Sequence, residues 1–192
     1  MASVLVAIAG QAGAGKNRLA ELIARRIGAR RIDVSGDQEP FPEPATYARA
    51  LSETAAALDT DGGRVVLVGA FHTRESRRKL LRVAGAARSA LLYLECSANE
   101  FVRRRRLRLR LTSGADALTP PEAELWVNRL VSDDENFERT GFEIPRAAQM
   151  LIDTTVGVEI WGGLASSRVE LWAADAAPAP APRLEDQALS AG

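Results

Sequence analysis

A short apolar run that ends in a glycine-rich loop constrains the fold of this chain more than any other feature of the sequence. Val4 to Ala9 are continuously apolar, which is typical of a strand buried on both faces of a sheet. Residues 16–27 then repeat apolar side chains at helical spacing, and Gly28 stands where the C-cap glycine of a helix is expected. A buried strand, a glycine loop and a helix in this order predict a parallel α/β architecture.

The loop between that strand and that helix has the pattern of a phosphate-binding loop. It reads Gly-Gln-Ala-Gly-Ala-Gly-Lys-Asn and fits G-x-x-x-x-G-K-[S/T] at every fixed position except the last. Glycines let backbone N–H groups turn toward phosphates, the helix N-terminus adds its positive dipole, and the lysine supplies a cation. A glycine-rich turn without a ligand is the alternative, but it would not require one of the only two lysines in the chain. We therefore predict that a nucleotide binds here. The predicted binding residues are Gly10, Gln11, Ala12, Gly13, Ala14, Gly15, Lys16 and Asn17.

The last position of the pattern departs from the rule. A Ser or Thr hydroxyl normally stands at the position of Asn17 and binds the Mg²⁺ that bridges the terminal phosphates. An amide oxygen can also bind a hard cation, so Asn17 is a candidate metal ligand. Two interpretations remain open: the metal is held more loosely, or the protein no longer needs it.

The rest of the chain continues the alternation of strands and helices. Four further strands and four further helices are predicted, and this order favours a parallel sheet with helices on both faces. The predicted strands are 31–35, 64–71, 90–95 and 149–154, and the predicted helices are 45–58, 74–87, 99–111 and 121–130. Residues 173–192 contain Ala-Pro-Ala-Pro-Ala-Pro and are predicted to form a disordered tail.

Composition and charge exclude several classes of protein. The chain has 192 residues with 25 basic and 25 acidic side chains, so no net charge recruits nucleic acid or an anionic membrane. The single cysteine, Cys96, excludes an internal disulfide framework and is expected to be a small apolar filler. We find no basic segment before the first apolar run and no apolar stretch of transmembrane length, so a cytoplasmic protein is expected.

Further segments extend the pattern beyond the loop. Asp33 lies at the end of the second predicted strand, Phe71 ends the third in Val-Gly-Ala-Phe, and Arg106-Leu-x-x-Arg110 follows the fourth. Over roughly residues 3–155 the sequence resembles the small bacterial P-loop kinases, a group that includes gluconate and shikimate kinases and the predicted AAA-type kinases. The resemblance implies the three-layer, nucleoside-kinase-like P-loop NTPase fold.

The same resemblance implies a domain plan and a set of roles. Residues 1–172 would form the kinase-like domain, with a lid at about 99–121. Transfer of a phosphoryl group needs a phosphate cradle, cations, a metal and an acceptor for the proton of the attacking hydroxyl. The residues expected to carry the chemistry are Lys16, Arg106 and Arg110 as cations, Asp33 as a ligand of Mg²⁺ or of its water, and Asp37 as proton acceptor.

Two functions remain open from the sequence. The first is an ATP-dependent phosphotransferase that moves the terminal phosphate to a hydroxyl of an unidentified small molecule, with His72, Arg74 and Arg77 as candidates for acceptor recognition. The second is a nucleotide-binding regulator or partner protein with impaired catalysis. Asn17 favours the second, as does Val68, which stands where many of the predicted kinases carry an acid.

Two charged clusters have less specific interpretations. Residues 103–110 contain six arginines, which would suit a polynucleotide substrate, but the aromatic side chains of a single-strand binder are absent from this run. On a helix, only some of these arginines would face the phosphates, while Arg104, Arg105 and Arg108 would lie in solvent or meet acids. Asp133 to Glu135 are interpreted as a solvated acidic turn, because no His or Cys accompanies them.

Overall fold

The computed structural model describes residues 3–34, 44–60, 62–71, 73–132 and 148–176. Strands and helices alternate along these ranges, as the sequence predicts. The strands are β1 (Val4–Gly10), β2 (Arg30–Asp33), β3 (Arg64–Val68), β4 (Ala90–Ser97) and β5 (Ala148–Asp153). The helices are α1 (Lys16–Ile27), α2 (Pro44–Leu58), α3 (Arg74–Ala86), α4 (Glu100–Leu111), α5 (Pro120–Ser132) and α6 (Val158–Asp175).

The strands form one parallel sheet in the order β2-β3-β1-β4-β5. β1 lies in the middle and is buried along its whole length, which agrees with its continuous apolar sequence. The chain first builds the sheet on one side of β1 and then on the other, so the order of strands reverses at β1. Ligands of open α/β sheets bind outside the carboxyl end of the strand at such a reversal, and the glycine loop begins at that end of β1.

Helices cover both faces of the sheet, which confirms the predicted layered α/β architecture. On one face α1 and α6 pack over a core that includes Ile8, Ile23 and Val169. On the other face α2 and α3 pack over a core that includes Phe71 and Leu80. A third, smaller cluster joins α4 to α5 and contacts the loop through Ala12.

One strand end and one helix differ from the sequence prediction for physical reasons. The third strand ends at Val68 and not at Phe71, because the chain turns there and Phe71 adopts a φ of 46°. Helix α6 is not predicted from the sequence, since Gly162 and Gly163 lower its helical propensity and its apolar residues show no one-sided pattern. Gly162 lies close to α1, because a Cβ there would lie 2.4 Å from Cδ1 of Leu22, the end of a flexible side chain that would have to move.

The C-terminal helix also extends past the boundary predicted for the domain. α6 continues through Asp175, three residues beyond position 172, and Ala173 and Ala176 pack against the core. Residues 177–192, which carry most of the predicted tail, lie outside the described residues. No helix within the described ranges combines the length and the apolar character needed to cross a membrane.

Candidate functional site

The glycine loop at the end of β1 is held in a conformation that only glycine adopts readily. Gly10 has a φ of 140° and Gly13 a φ of 76°. A Cβ on Gly10 would lie 2.2 Å from the carbonyl oxygen of Cys96 on β4, and one on Gly13 would lie 2.8 Å from that of Arg103 on α4. The loop is therefore packed closely between β4 and α4.

Lys16 is the first residue of α1 and turns back over the loop. Its Nζ donates hydrogen bonds to Gly10 O at 2.8 Å and to Gln11 O at 2.9 Å. Within the described residues no side chain caps the N-terminus of α1, and the first turn of the helix contains no acidic residue. The positive end of the helix dipole and an ammonium group thus lie together at this loop, an arrangement that attracts an anion.

Asp33 lies at the carboxyl end of β2, on the same edge of the sheet as the loop. It pairs with Val68 of β3, which in turn pairs with Ile8 of β1. Oδ2 of Asp33 forms an ion pair with the Arg31 guanidinium on the same strand. Oδ1 is buried and has no hydrogen-bond partner among the described residues, an arrangement that costs free energy unless a ligand supplies a donor or a cation.

The donors at this edge fit a magnesium ion that arrives with a nucleotide. In the part of the chain that the structure describes, no three His, Cys, Asp or Glu side chains are grouped as metal ligands. Mg²⁺ at nucleotide sites takes most of its ligands from phosphates and water and only one or two from protein. Oδ1 of Asp33 and the exposed amide of Asn17 on α1 are oxygen donors of that kind.

Arg106, one of the two arginines predicted for a lid, lies against the loop in the structure. Its Nη1 donates to Gly13 O at 3.2 Å and to Thr154 Oγ1 at 2.9 Å, and its Nη2 donates to Thr154 O at 2.7 Å. Arg110 is exposed in the last turn of α4, and no hydrogen bond within the described residues joins it to the loop. Of the two arginines predicted for the lid, only Arg106 is therefore hydrogen-bonded to the glycine loop within the described residues.

The neighbouring arginines of α4 contact acids, as predicted from the sequence. Arg104 Nε lies 2.7 Å from Glu100 Oε1, and Arg108 Nε lies 2.6 Å from Glu124 Oε2 on α5. The hydrogen bond and charge of Arg108 lower the pKa of Glu124, so that carboxylate stays ionised. These arginines connect α4 to its own first turn and to α5.

Thr154 is a site residue to which sequence reasoning assigns no role. It follows β5 directly and is fully buried. Its hydroxyl donates to Ala14 O at 2.7 Å and lies 3.1 Å from Ser97 O. The only local signal is a threonine immediately after the last strand, at the edge of the sheet where the loop is expected.

A buried polar group lies on the other side of the loop, between α2, α3 and the end of β3. Arg77 is 2 % exposed, and its Nη1 donates to Phe71 O at 3.3 Å. The rings of Tyr47 and Phe71 meet edge to face with centroids 5.9 Å apart. Burial raises the pKa of the Tyr47 phenol, which therefore stays protonated. Arg74, the other predicted arginine of this region, is exposed.

Cys96 is a structural residue, as the sequence predicts. The side chain is buried at the end of β4, and this burial raises the pKa of its thiol to about 12. The group stays protonated near neutral pH and does not act as a nucleophile. Three other candidates of the sequence, Asp37, His72 and the cluster Asp133 to Glu135, lie outside the described residues.

Comparison with known proteins identifies the fold. No protein-family profile and no curated protein matches the sequence. Solved structures do match. A protein from Chloroflexus aurantiacus described as a candidate kinase aligns with a TM-score of 0.66 and 15 % identity, covering 89 % of this chain and 98 % of its own.

Two further structures carry more specific descriptions. A gluconokinase from Sinorhizobium meliloti aligns with a TM-score of 0.58 and 17 % identity over 98 % of each chain. A shikimate kinase from Bacteroides thetaiotaomicron aligns with a TM-score of 0.53 and 16 % identity, covering 88 % of this chain and 97 % of its own. This chain therefore has the α/β P-loop fold of these proteins, as the sequence predicts.

Proposed function

We propose that the protein is an ATP-dependent phosphotransferase that moves the terminal phosphate of ATP to a hydroxyl of a small molecule. The observation that carries the proposal is the position of Lys16. Its ammonium lies over a glycine loop, at the uncapped N-terminus of α1 and at the carboxyl end of the central strand. An anion with several oxygens, such as a triphosphate, suits this combination of dipole, backbone N–H groups and cation.

The chain's own residues would act mainly by positioning. In the structure Lys16 Nζ is bound to Gly10 O and Gln11 O. When a triphosphate enters, the ammonium exchanges those carbonyls for phosphate oxygens. Arg106, which donates a hydrogen bond to Gly13 O, contributes a second positive charge beside the loop. Charge neutralisation and alignment supply most of the catalysis of phosphoryl transfer.

A magnesium ion would be held on the side of β2. Asn17 and Oδ1 of Asp33 are the protein donors available to it or to its water. The ion supplies further neutralisation of the phosphate charge. Asp37 remains the sequence candidate for the group that accepts the proton of the acceptor hydroxyl.

The acceptor is expected beside α2 and α3. The rings of Tyr47 and Phe71 pack edge to face there, with Phe71 fully buried, and Arg77 holds the turn that carries Phe71. A polynucleotide acceptor is not favoured, since Arg104 and Arg108 of the basic run contact acids. We infer a small-molecule acceptor and a cytoplasmic protein, because ATP is supplied there.

One observation favours a second function, nucleotide binding without transfer. Asp33 is paired with Arg31, which lowers the net negative charge offered to a metal. Val68, in the adjacent position on β3, is buried and apolar. Together with Asn17, these features would weaken magnesium binding, and the protein would then bind nucleotide without transferring its phosphate.

Calorimetric titration separates these functions. ATP and a non-hydrolysable analogue are titrated with and without Mg²⁺ into wild-type protein, into Lys16→Ala and into Lys79→Ala. Lys79 is the only other lysine and forms an exposed ion pair with Glu75 on α3, so its replacement is a matched control. The proposal expects Mg²⁺-enhanced binding that Lys16→Ala weakens by at least about tenfold and Lys79→Ala leaves unchanged.

Other results of that titration have defined meanings. ATP binding of equal strength with and without Mg²⁺ would support the second function, nucleotide binding without transfer. In that case Asn17→Ser is expected to restore Mg²⁺ dependence if the amide is the cause. Absence of ATP binding to the wild-type protein would refute both functions.

A further inference from the structure

A buried hydroxyl far along the chain is bonded to the glycine loop. Thr154 is fully buried, and its Oγ1 donates to Ala14 O at 2.7 Å. The same oxygen accepts a hydrogen bond from Arg106 Nη1 at 2.9 Å. The backbone of Thr154 is itself fixed, because its N–H donates to Ser97 O at 2.8 Å. The hydroxyl is thus held between β4, α4 and the loop.

Arg106 contacts the preceding peptide of the loop. Nη1 donates to Gly13 O at 3.2 Å, while Nη2 donates to Thr154 O at 2.7 Å. Two consecutive loop carbonyls, those of Gly13 and Ala14, are therefore held by one pair of side chains. We call these side chains the Thr154–Arg106 pair.

Fixing a carbonyl also fixes the N–H group of the same peptide plane. Peptide planes are rigid, and in a trans peptide the C=O and the following N–H point in opposite directions. Holding Ala14 O toward Thr154 therefore turns the Gly15 N–H to the opposite side. The Ala14 N–H, which shares a plane with Gly13 O, donates to Gln11 O at 3.2 Å.

The loop needs such contacts because it is rich in glycine. Glycine loses more conformational freedom on ordering than any other residue. A loop that is ordered before the ligand arrives does not lose that entropy on binding, and the affinity rises accordingly. The two glycines that flank Ala14, Gly13 and Gly15, are the positions at which the planes could otherwise rotate.

We propose that Thr154 is a positioning residue that, together with Arg106, orders the phosphate-binding loop before nucleotide binds. The inference rests on the proposed function for its ligand, but the ordering itself is a property of the nucleotide-free protein. This role differs from the catalytic roles considered above, because Thr154 binds a carbonyl oxygen of the loop and not the phosphates. Arg106 thereby gains a role in the nucleotide-free state, in addition to its charge.

The ordering is measured by hydrogen exchange of the loop amides without nucleotide. Thr154→Val keeps the shape of the side chain and removes the hydroxyl, and Thr154→Ser keeps the hydroxyl. Arg106→Lys keeps the charge, but one terminal nitrogen cannot occupy the positions of both Nη1 and Nη2. Thr54→Val is the matched control, because Thr54 is also fully buried and donates to a carbonyl, Ala50 O at 2.8 Å, within α2.

We expect the amides of residues 13–16 to exchange about tenfold faster in Thr154→Val and in Arg106→Lys, the change that loss of one net hydrogen bond produces. Thr154→Ser and Thr54→Val should leave them unchanged. The affinity for ATP should fall about tenfold in Thr154→Val and stay unchanged in Thr54→Val, even where both lower the melting temperature equally.

Three results would overturn the inference. They are unchanged exchange of the loop in both Thr154→Val and Arg106→Lys, equal exchange in Thr154→Ser and Thr154→Val, and faster loop exchange in Thr54→Val. If Thr154→Val does not fold, Arg106→Lys decides. A wild-type protein that binds no ATP would refute the proposed function, and the exchange measurements would still decide whether the Thr154–Arg106 pair orders the loop.

Discussion

Replacement of Gly10 by alanine tests whether the junction of β1 and the loop is built as described. The residue has a φ of 140°, and its position on β1 pairs with Cys96 of β4. An added Cβ would lie 2.2 Å from Cys96 O and 3.2 Å from Cys96 Cβ. Because real Cβ contacts are essentially never closer than 3.0 Å, the two central strands must move apart at this point.

The expected cost combines two effects. An L-residue held at this φ costs about 1 to 3 kcal/mol. Separating the strands by the missing distance weakens at least one or two hydrogen bonds of the ladder, at about 1 kcal/mol each. We therefore expect Gly10→Ala to lower the free energy of unfolding by about 2 to 5 kcal/mol, a large part of the total for a typical domain.

Two other glycines provide matched controls. Gly28 has a φ of 64° with nothing within 4 Å of an added Cβ, so Gly28→Ala should cost only about 1 to 2 kcal/mol of backbone strain. Gly163 lies inside α6 without a positive φ and with open space around it, so Gly163→Ala should stabilise the protein by about 0.5 to 1 kcal/mol. Urea unfolding of the four proteins, with equal m-values, gives the comparison. A cost for Gly10→Ala no greater than that for Gly28→Ala would refute the close approach of β1 to β4.

Two further predictions concern pH and the chain terminus. Burial raises the pKa of Cys96 from 9.0 to about 12, so the stability linked to the protonated thiol is complete below pH 9 and is lost as the pH rises from 9 toward 12. Urea unfolding at pH 8 and pH 10.5 should therefore show a smaller loss of stability in Cys96→Ala than in the wild-type protein. An equal loss in both proteins would contradict the assigned burial of Cys96. The domain is proposed to end with α6, so truncation after Ala176 should leave the melting temperature unchanged, whereas a marked fall would place part of residues 177–192 in the fold.

The sequence predicts the elements whose causes are local. Apolar periodicity identifies β1 and α1, and the glycine spacing identifies the loop between them. The alternation of strands and helices predicts a parallel sheet, but the order of the strands in it comes from the structure. The predicted roles of Lys16 and Asp33 remain predictions, although the fold places both residues at the same edge of the sheet.

The parts that the sequence does not predict depend on contacts between distant residues. α6 lacks a helical apolar pattern and is held by packing on α1 and the core, to which Ala165 and Val169 contribute. The contact of Thr154 with the loop joins residues that no local pattern relates. The pairing of Asp33 with Arg31 spans only two positions, but it depends on the strand geometry that puts both side chains on one face.

The bond between Ala14 and Thr154 links positions 140 residues apart and has a consequence for synthesis of the protein. At about 5 to 20 residues per second, the ribosome adds Thr154 some 7 to 28 s after Ala14. During that interval the nascent chain already contains β1, the loop and α1 but lacks Thr154, the side-chain partner of Ala14 O. Contacts of such large sequence separation also form slowly because they close a long loop. An incomplete chain therefore lacks one of the contacts that are proposed to order the loop, and that contact forms only when nearly all of the domain has been synthesised.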